Sequence, residues 1–213
     1  MSAPKSMAVA PKRRRGRERV EAILSAAAQI FAQKGYAGAT MSEIARSSGT
    51  AVGSLYRFFP EKSALADALL SRYAERVDAD LGALAARSAG LSAPELAAQW
   101  VALMTDLGED RAVALALLDA SRDAVDRRLH LRALMRGHVN AMLAARAPGL
   151  PAPRRAAAAA LLLHISKAVP LAAREPAPLD RDLRAEAQNL LAAALERLEA
   201  ATPADNLFTG FAH

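Results

Sequence analysis

With 213 residues and no cysteine, the chain can bury one large core or two small ones, and it excludes disulfides, thiolate metal sites and cysteine nucleophiles. Its formal charge of +6 is unevenly held: residues 1–62 carry eleven Lys/Arg against four Asp/Glu, and residues 63–213 carry seventeen against eighteen. The surplus positive charge therefore lies in the first third, the pattern of a polyanion-binding module joined to a near-neutral body, with a solubilising basic tail as the plainer alternative.

Residues 1–16 contain Pro4, Pro11, Gly16 and a basic run without apolar period, and are expected to form a flexible arm. Nothing there looks like an apolar leader. From Glu18 to Gln33 the residues Val20, Ile23, Leu24, Ala27, Ile30 and Phe31 recur at helical spacing, and Gly35 ends the predicted helix. Thr40-Met41-Ser42-Glu43 is a capping box opening a short helix that stops at Ser48-Gly49. A second short helix follows, with Thr50 as its expected cap and Val52, Leu55, Tyr56 and Phe59 as apolar or aromatic positions. Pro60 then starts a longer helix. Two short helices joined by a glycine-bearing turn and backed by a third make a helix-turn-helix.

Downstream the pattern stays helical, with predicted helices over 61–88, 93–107, 109–119, 122–146, 154–173 and 179–200. The greasiest stretch, Ala156 to Leu163, is too short to span a membrane and is followed by His164 and Lys167. A cytoplasmic protein with no membrane partner is expected. The residues after Pro203 read as a loose tail.

The run Gly53-Ser54-Leu55-Tyr56-Arg57-Phe58-Phe59-Pro60-Glu61-Lys62, together with Gly35-Tyr36, the Thr40–Ala45 box and Ser48-Gly49, resembles the DNA-binding domain of the tetracycline-repressor (TetR) family. The resemblance covers about residues 17–65. It implies an all-α fold of about nine helices: an arm over 1–16, a helix-turn-helix domain over 17–62, an effector-binding and dimerisation domain over 63–203, and a tail over 204–213. It further implies a homodimer that represses transcription from a double-stranded DNA operator until a small-molecule effector releases it. The alternative is a helical architectural DNA-binding protein without an effector.

By this resemblance Tyr56, Lys62, Thr40 and Ser54 meet DNA phosphates, and Arg57 reaches a phosphate or a base edge. Leu55 and Phe59 anchor the reading helix, and plain core packing accounts for Phe58 and Phe59. Ala51 and Val52 stand where many relatives carry polar readers. Neither makes a bidentate bond to a base, but both can press on thymine methyls, and Gly53 lets the backbone approach. Thr50 adds a hydroxyl. Lys12, Arg13, Arg14, Arg15 and Arg17 form an arm suited to the phosphate backbone or the minor groove; a solvated tail is the alternative.

In the body, Trp100, Met104, His138, Met142 and His164 fall on apolar stripes and are candidates for an effector cavity, with core packing as the competing explanation. Ala168, Leu171, Ala187, Leu190, Ala194 and Leu198 are candidates for a dimer seam or an intramolecular core. Asp126 and His130 make half a metal site, and no metal or other cofactor is expected. No nucleophile–His–acid set and no phosphate-binding glycine loop is present, so no enzyme is expected.

Overall fold

The computed structural model describes residues 9–119 and 124–201; the tail and the start of the arm expected from sequence lie outside them. The described residues are helical, without a strand: α1 (Val9–Gly38), α2 (Met41–Ser47), α3 (Val52–Phe58), α4 (Lys62–Arg87), a 3-10 turn (Ser88–Gly90), α5 (Ala93–Asp106), α6 (Gly108–Asp119), α7 (Ala124–Arg146), α8 (Ala152–Ser166), α9 (Ala168–Ala172) and α10 (Leu179–Ala200). Two compact units emerge. One comprises the described residues within 1–73 and 110–124, the other those within 74–109 and 125–213. Residues 63–73 and 110–119 thus cluster with the N-terminal unit.

In the first unit Ile23, Leu24, Ala27, Ile30 and Phe31 of α1 are buried, as are Ile44 and Ala45 of α2, Leu55 and Phe59 at α3, and Leu65, Ala66, Leu70 and Tyr73 of α4. The spacing of these residues puts one stripe of each helix inward. The expected arm is partly helical, because α1 starts at Val9 and runs through the basic segment. Lys, Arg and Ala are good helix formers, and Pro11 falls in the first turn, where its missing N–H costs no intrahelical bond. The helical path breaks at Gly35, whose φ of 68° is open to glycine at little cost.

In the second unit Val77, Leu81 and Leu84 of α4 are buried, with Leu96, Ala97, Trp100, Val101 and Met104 of α5 and Val139, Met142 and Leu143 of α7. Leu162 and Leu163 of α8, Val169 of α9, and Ala187, Leu191 and Leu195 of α10 complete the core, in which α10 packs most extensively on α5. A second capping box opens α5: Ser92 Oγ accepts from the Glu95 amide, and the Glu95 carboxylate accepts from the Ser92 amide at 2.8 Å. The Ser92 bonds hold the Glu95 carboxyl below its ordinary pKa.

The predicted helix 154–173 is two helices, divided at Lys167. Pro170 is the cause: it has no N–H for the Ser166 carbonyl, and its ring crowds that carbonyl. By length and composition residues 152–172 pass as a membrane span, with mean hydropathy 1.2 in the best window, a broader apolar stretch than the one noted in the sequence. The break at Lys167 interrupts it as a regular helix.

His138 meets α4 where α4 has no side chain. Its Nε2 is 2.6 Å from Asp78 Oδ1, and a Cβ built on Gly82 would stand 3.3 Å from His138 Cε1. Gly82→Ala therefore gains about 1 kcal/mol of helix propensity but presses on an imidazole held by Asp78. The substitution is expected to be close to neutral in the parent protein and to stabilise by about 1 kcal/mol in a His138→Ala background. Urea melts of the four proteins in that cycle check this; a full stabilisation by Gly82→Ala in both backgrounds would show that the ring yields freely.

Candidate nucleic-acid interface

The turn between α2 and α3 is a complete Schellman closure. The Thr50 amide donates to Ala45 O at 2.9 Å and the Gly49 amide to Arg46 O at 3.2 Å, with Gly49 at φ 62°. This geometry turns Thr50 inward. It is only 7% exposed, and its hydroxyl donates to Ser48 O at 3.4 Å. Thr50 therefore does not cap α3; Ala51 occupies the cap position without a side-chain bond.

α3 is held by its inner side. Leu55 is fully buried and Phe59 nearly so, leaving Ala51, Val52, Gly53, Tyr56 and Arg57 outside. Val52 is 45% exposed and Tyr56 47% exposed, one turn apart on the same stripe. Gly53 and Arg57 form the adjacent stripe, and the Arg57 guanidinium lies 5.4 Å from the centre of the Phe58 ring. The outer face thus offers a small apolar contact, a backbone free of side chain, a phenol and a guanidinium. That combination suits a major groove: methyl contact, close approach and phosphate or base-edge bonding. Ser54 does not join it, because its hydroxyl is buried and bonds to no described residue.

α2 is positioned by its predicted box. Thr40 Oγ1 accepts from the Glu43 amide at 3.3 Å, and Glu43 Oε2 accepts from the Thr40 amide at 3.2 Å. Lys34 of α1 pairs with the same carboxylate, so Glu43 joins the two helices. The Lys34 and Thr40 hydrogen bonds hold the Glu43 carboxyl below its ordinary value of 4.5. A carboxyl depressed on folding contributes stability that is fully present above its unfolded pKa and is lost as pH falls through the folded one. Thermal melts through that acid range are expected to show a steeper loss of stability in the parent than in Glu43→Gln; parallel curves would contradict the assignment.

Lys62 holds a place other than the one expected. Its Nζ donates to Tyr36 O at 2.6 Å, Ala39 O at 2.9 Å and Ala37 O at 3.3 Å, and lies 4.6 Å from the centre of the Tyr36 ring. Tyr36 in turn packs against Phe31, centroids 5.7 Å apart. The ammonium closes the end of α1 from the start of α4, a cation set among carbonyls at and just past the helix end. In the arm, Arg14 pairs with Glu18 at 3.3 Å, and Arg15 and Arg17 are exposed; the Arg13 side chain lies outside the described residues.

The candidate effector residues are distributed over α5, α7 and α8. Trp100, Met104 and Met142 are buried in the second unit's core, and His138 bonds Asp78. His164 lines a groove between α7 and α8, formed with Arg132, Met135, Arg136, Ala160, Leu163 and Lys167. Among the described residues no three His, Asp or Glu side chains converge as metal ligands.

Residues 23–69 match the family of bacterial regulatory proteins named for tetR. Over 71 residues the chain is 44% identical to the HTH-type transcriptional repressor KstR of Mycolicibacterium smegmatis, an alignment covering 32% of this chain and about a third (35%) of that protein's length. A tetR-family regulatory protein from Rhodococcus RHA1 superposes with a TM-score of 0.63 at 23% identity, covering 86% of this chain and 98% of the other. SmeT, solved as a complex with triclosan, gives a TM-score of 0.63 at 21% identity, covering 83% of this chain and 90% of the other. The two structures share the fold.

Proposed function

We propose that this chain, whose N-terminal domain belongs to the tetR family of bacterial regulators, is a cytoplasmic, non-enzymatic transcriptional repressor that binds a palindromic operator as a homodimer. In this reading the first unit reads DNA, and the second dimerises and takes a small-molecule effector that releases the operator. The observation that carries it is the outer face of α3, where Val52, Gly53, Tyr56 and Arg57 stand exposed on a helix fixed from behind by Leu55 and Phe59. The KstR relative is a repressor by name, and SmeT was solved with a small molecule, which supports both halves of the reading.

Dimerisation is supported by apolar side chains left open on the last helices. Leu161, Leu171, Leu179, Leu183 and Leu190 are exposed, and Ala194 and Leu198 are half-buried. Ala187 is buried within the unit and belongs to its own core instead. An exposed apolar surface of this kind on a C-terminal helix pair fits an isologous interface between identical chains.

The test is selection of duplexes from a random pool, followed by anisotropy titrations of the selected and a scrambled duplex at two salt concentrations. A symmetric site, preference for the selected duplex and a steep salt dependence are expected. Equal, salt-insensitive affinity for both duplexes would overturn the reading.

A further inference from the structure

Helices α7 and α8 are one-sided in charge. Between them they carry the arginines at 127, 128, 132, 136, 146, 154 and 155 against a single carboxylate, Asp126, although residues 63–213 as a whole hold more acid than base. Some of these have structural duties: Arg146 pairs with Glu199, and Arg155 donates to Asn140 Oδ1 and Leu150 O. Arg132 and Arg136 do not share them. They stand one turn apart on the groove between α7 and α8, and among the described residues neither is paired with a carboxylate. The Arg136 Nε donates to Arg132 O at 3.3 Å, which uses one of its five donors.

Like charges at this spacing repel and weaken a helix unless something neutralises them. The rest of the groove adds His164 and Lys167 on the α8 side and no acidic residue; its apolar wall is Met135, Ala160 and Leu163, and its volume is about 180 Å³. On α7 the arginine stripe continues towards the N-terminus through Leu129 and Val125, both exposed. A cationic mouth, an apolar wall and an apolar ledge beside it form a site of mixed chemistry.

We propose that the groove between α7 and α8 binds an amphiphilic anion, a carboxylate or phosphate joined to an aliphatic body. Arg132 and Arg136 hold the head group, since the guanidinium fork matches the two oxygens of either anion. Met135 and Leu163 take the apolar body. This rests on the reading of the second unit as the effector domain and names the chemical class of its ligand.

The test uses the full chain without DNA, so its outcome is independent of operator binding. Calorimetric titrations with octanoate, octyl phosphate, 1-octanol and inorganic phosphate separate the head group from the tail. Octanoate or octyl phosphate is expected to bind at least tenfold tighter than 1-octanol and inorganic phosphate, and the stronger of the two identifies the head group. Arg132→Gln combined with Arg136→Gln is expected to lose at least tenfold of that affinity with an unchanged melting temperature. Met135→Gln is expected to weaken both octyl anions and leave inorganic phosphate unaffected. Equal affinity for 1-octanol and octanoate, or an arginine variant that binds as the parent does, would overturn the proposal. Loss of operator binding in a protein that still binds octanoate would count against the repressor reading alone.

Discussion

Replacing Lys62 with alanine is expected to cost the protein about 2–4 kcal/mol and to weaken duplex binding about tenfold or more without changing its salt dependence. The Lys62 ammonium donates to three carbonyls at the end of α1. Its loss strips part-buried acceptors of their donor, at about 1–3 kcal/mol for a group left unsatisfied, beyond the charge-assisted bonds themselves. At about 2–4 °C per kcal/mol for a chain of this size, the melting temperature is expected to fall by roughly 5–15 °C. DNA affinity falls because the segment between α1 and α2 loses its fixed end, and α2 with α3 is aimed from that segment. A phosphate ligand behaves differently: its removal leaves stability alone and lowers the slope of log affinity against log salt by about one per contact. A variant with unchanged melting temperature and a reduced slope would restore Lys62 to the phosphate. Lys62→Met keeps the apolar stem and is expected to behave like the alanine variant, because the ammonium is what matters.

The second large effect is expected at Arg146. Its side chain is only 6% exposed, with Nε and Nη2 on Glu199 of α10 and Nη1 on the carbonyls of Ser88 and Leu91. One guanidinium thus joins the ends of α7 and α10 to the turn between α4 and α5. Arg146→Ala leaves two part-buried carbonyls without a donor and removes a charge-assisted pair, a loss of about 3 kcal/mol. Arg146→Lys is expected to recover less than half, because an ammonium cannot replicate a fork that serves a carboxylate and two carbonyls together. Urea denaturation followed by circular dichroism measures both. A loss below about 0.5 kcal/mol, the usual size for a surface substitution, would show that the turn is held by other bonds.

The parts of the fold that could be read from sequence were those set by neighbours in the chain. The Thr40–Glu43 box spans four residues, and Leu55 and Phe59 show their common face by spacing alone. Lys62 could not be read so: its partners lie 23 to 26 residues earlier, and nothing local marks an ammonium as bound to a helix end. The cap role of Thr50 is hidden for a related reason, since the closure at Gly49 decides which way its hydroxyl turns. The division of α8 from α9 was legible, because Pro170 sits where the Ser166 carbonyl needs a donor, and alanine-rich periodicity masked it. Trp100 and Met142 share the apolar spacing of a pocket wall and of a core, and only tertiary packing separates the two. Arg132 and Arg136 are absent from the sequence reading, because their spacing along α7 gains meaning only from the α8 wall that makes a groove beside them.

The exposed face of α3 in a DNA groove is the claim on which the functional reading stands, and the absence of cysteine makes it directly measurable. Val52→Cys gives a unique attachment point for an iron chelate that cleaves nearby DNA, with the cysteine-free parent as control. Cleavage confined to two symmetric clusters within the half-sites of the selected duplex is the result expected. Uncut duplex at concentrations where the labelled protein is fully bound would contradict it.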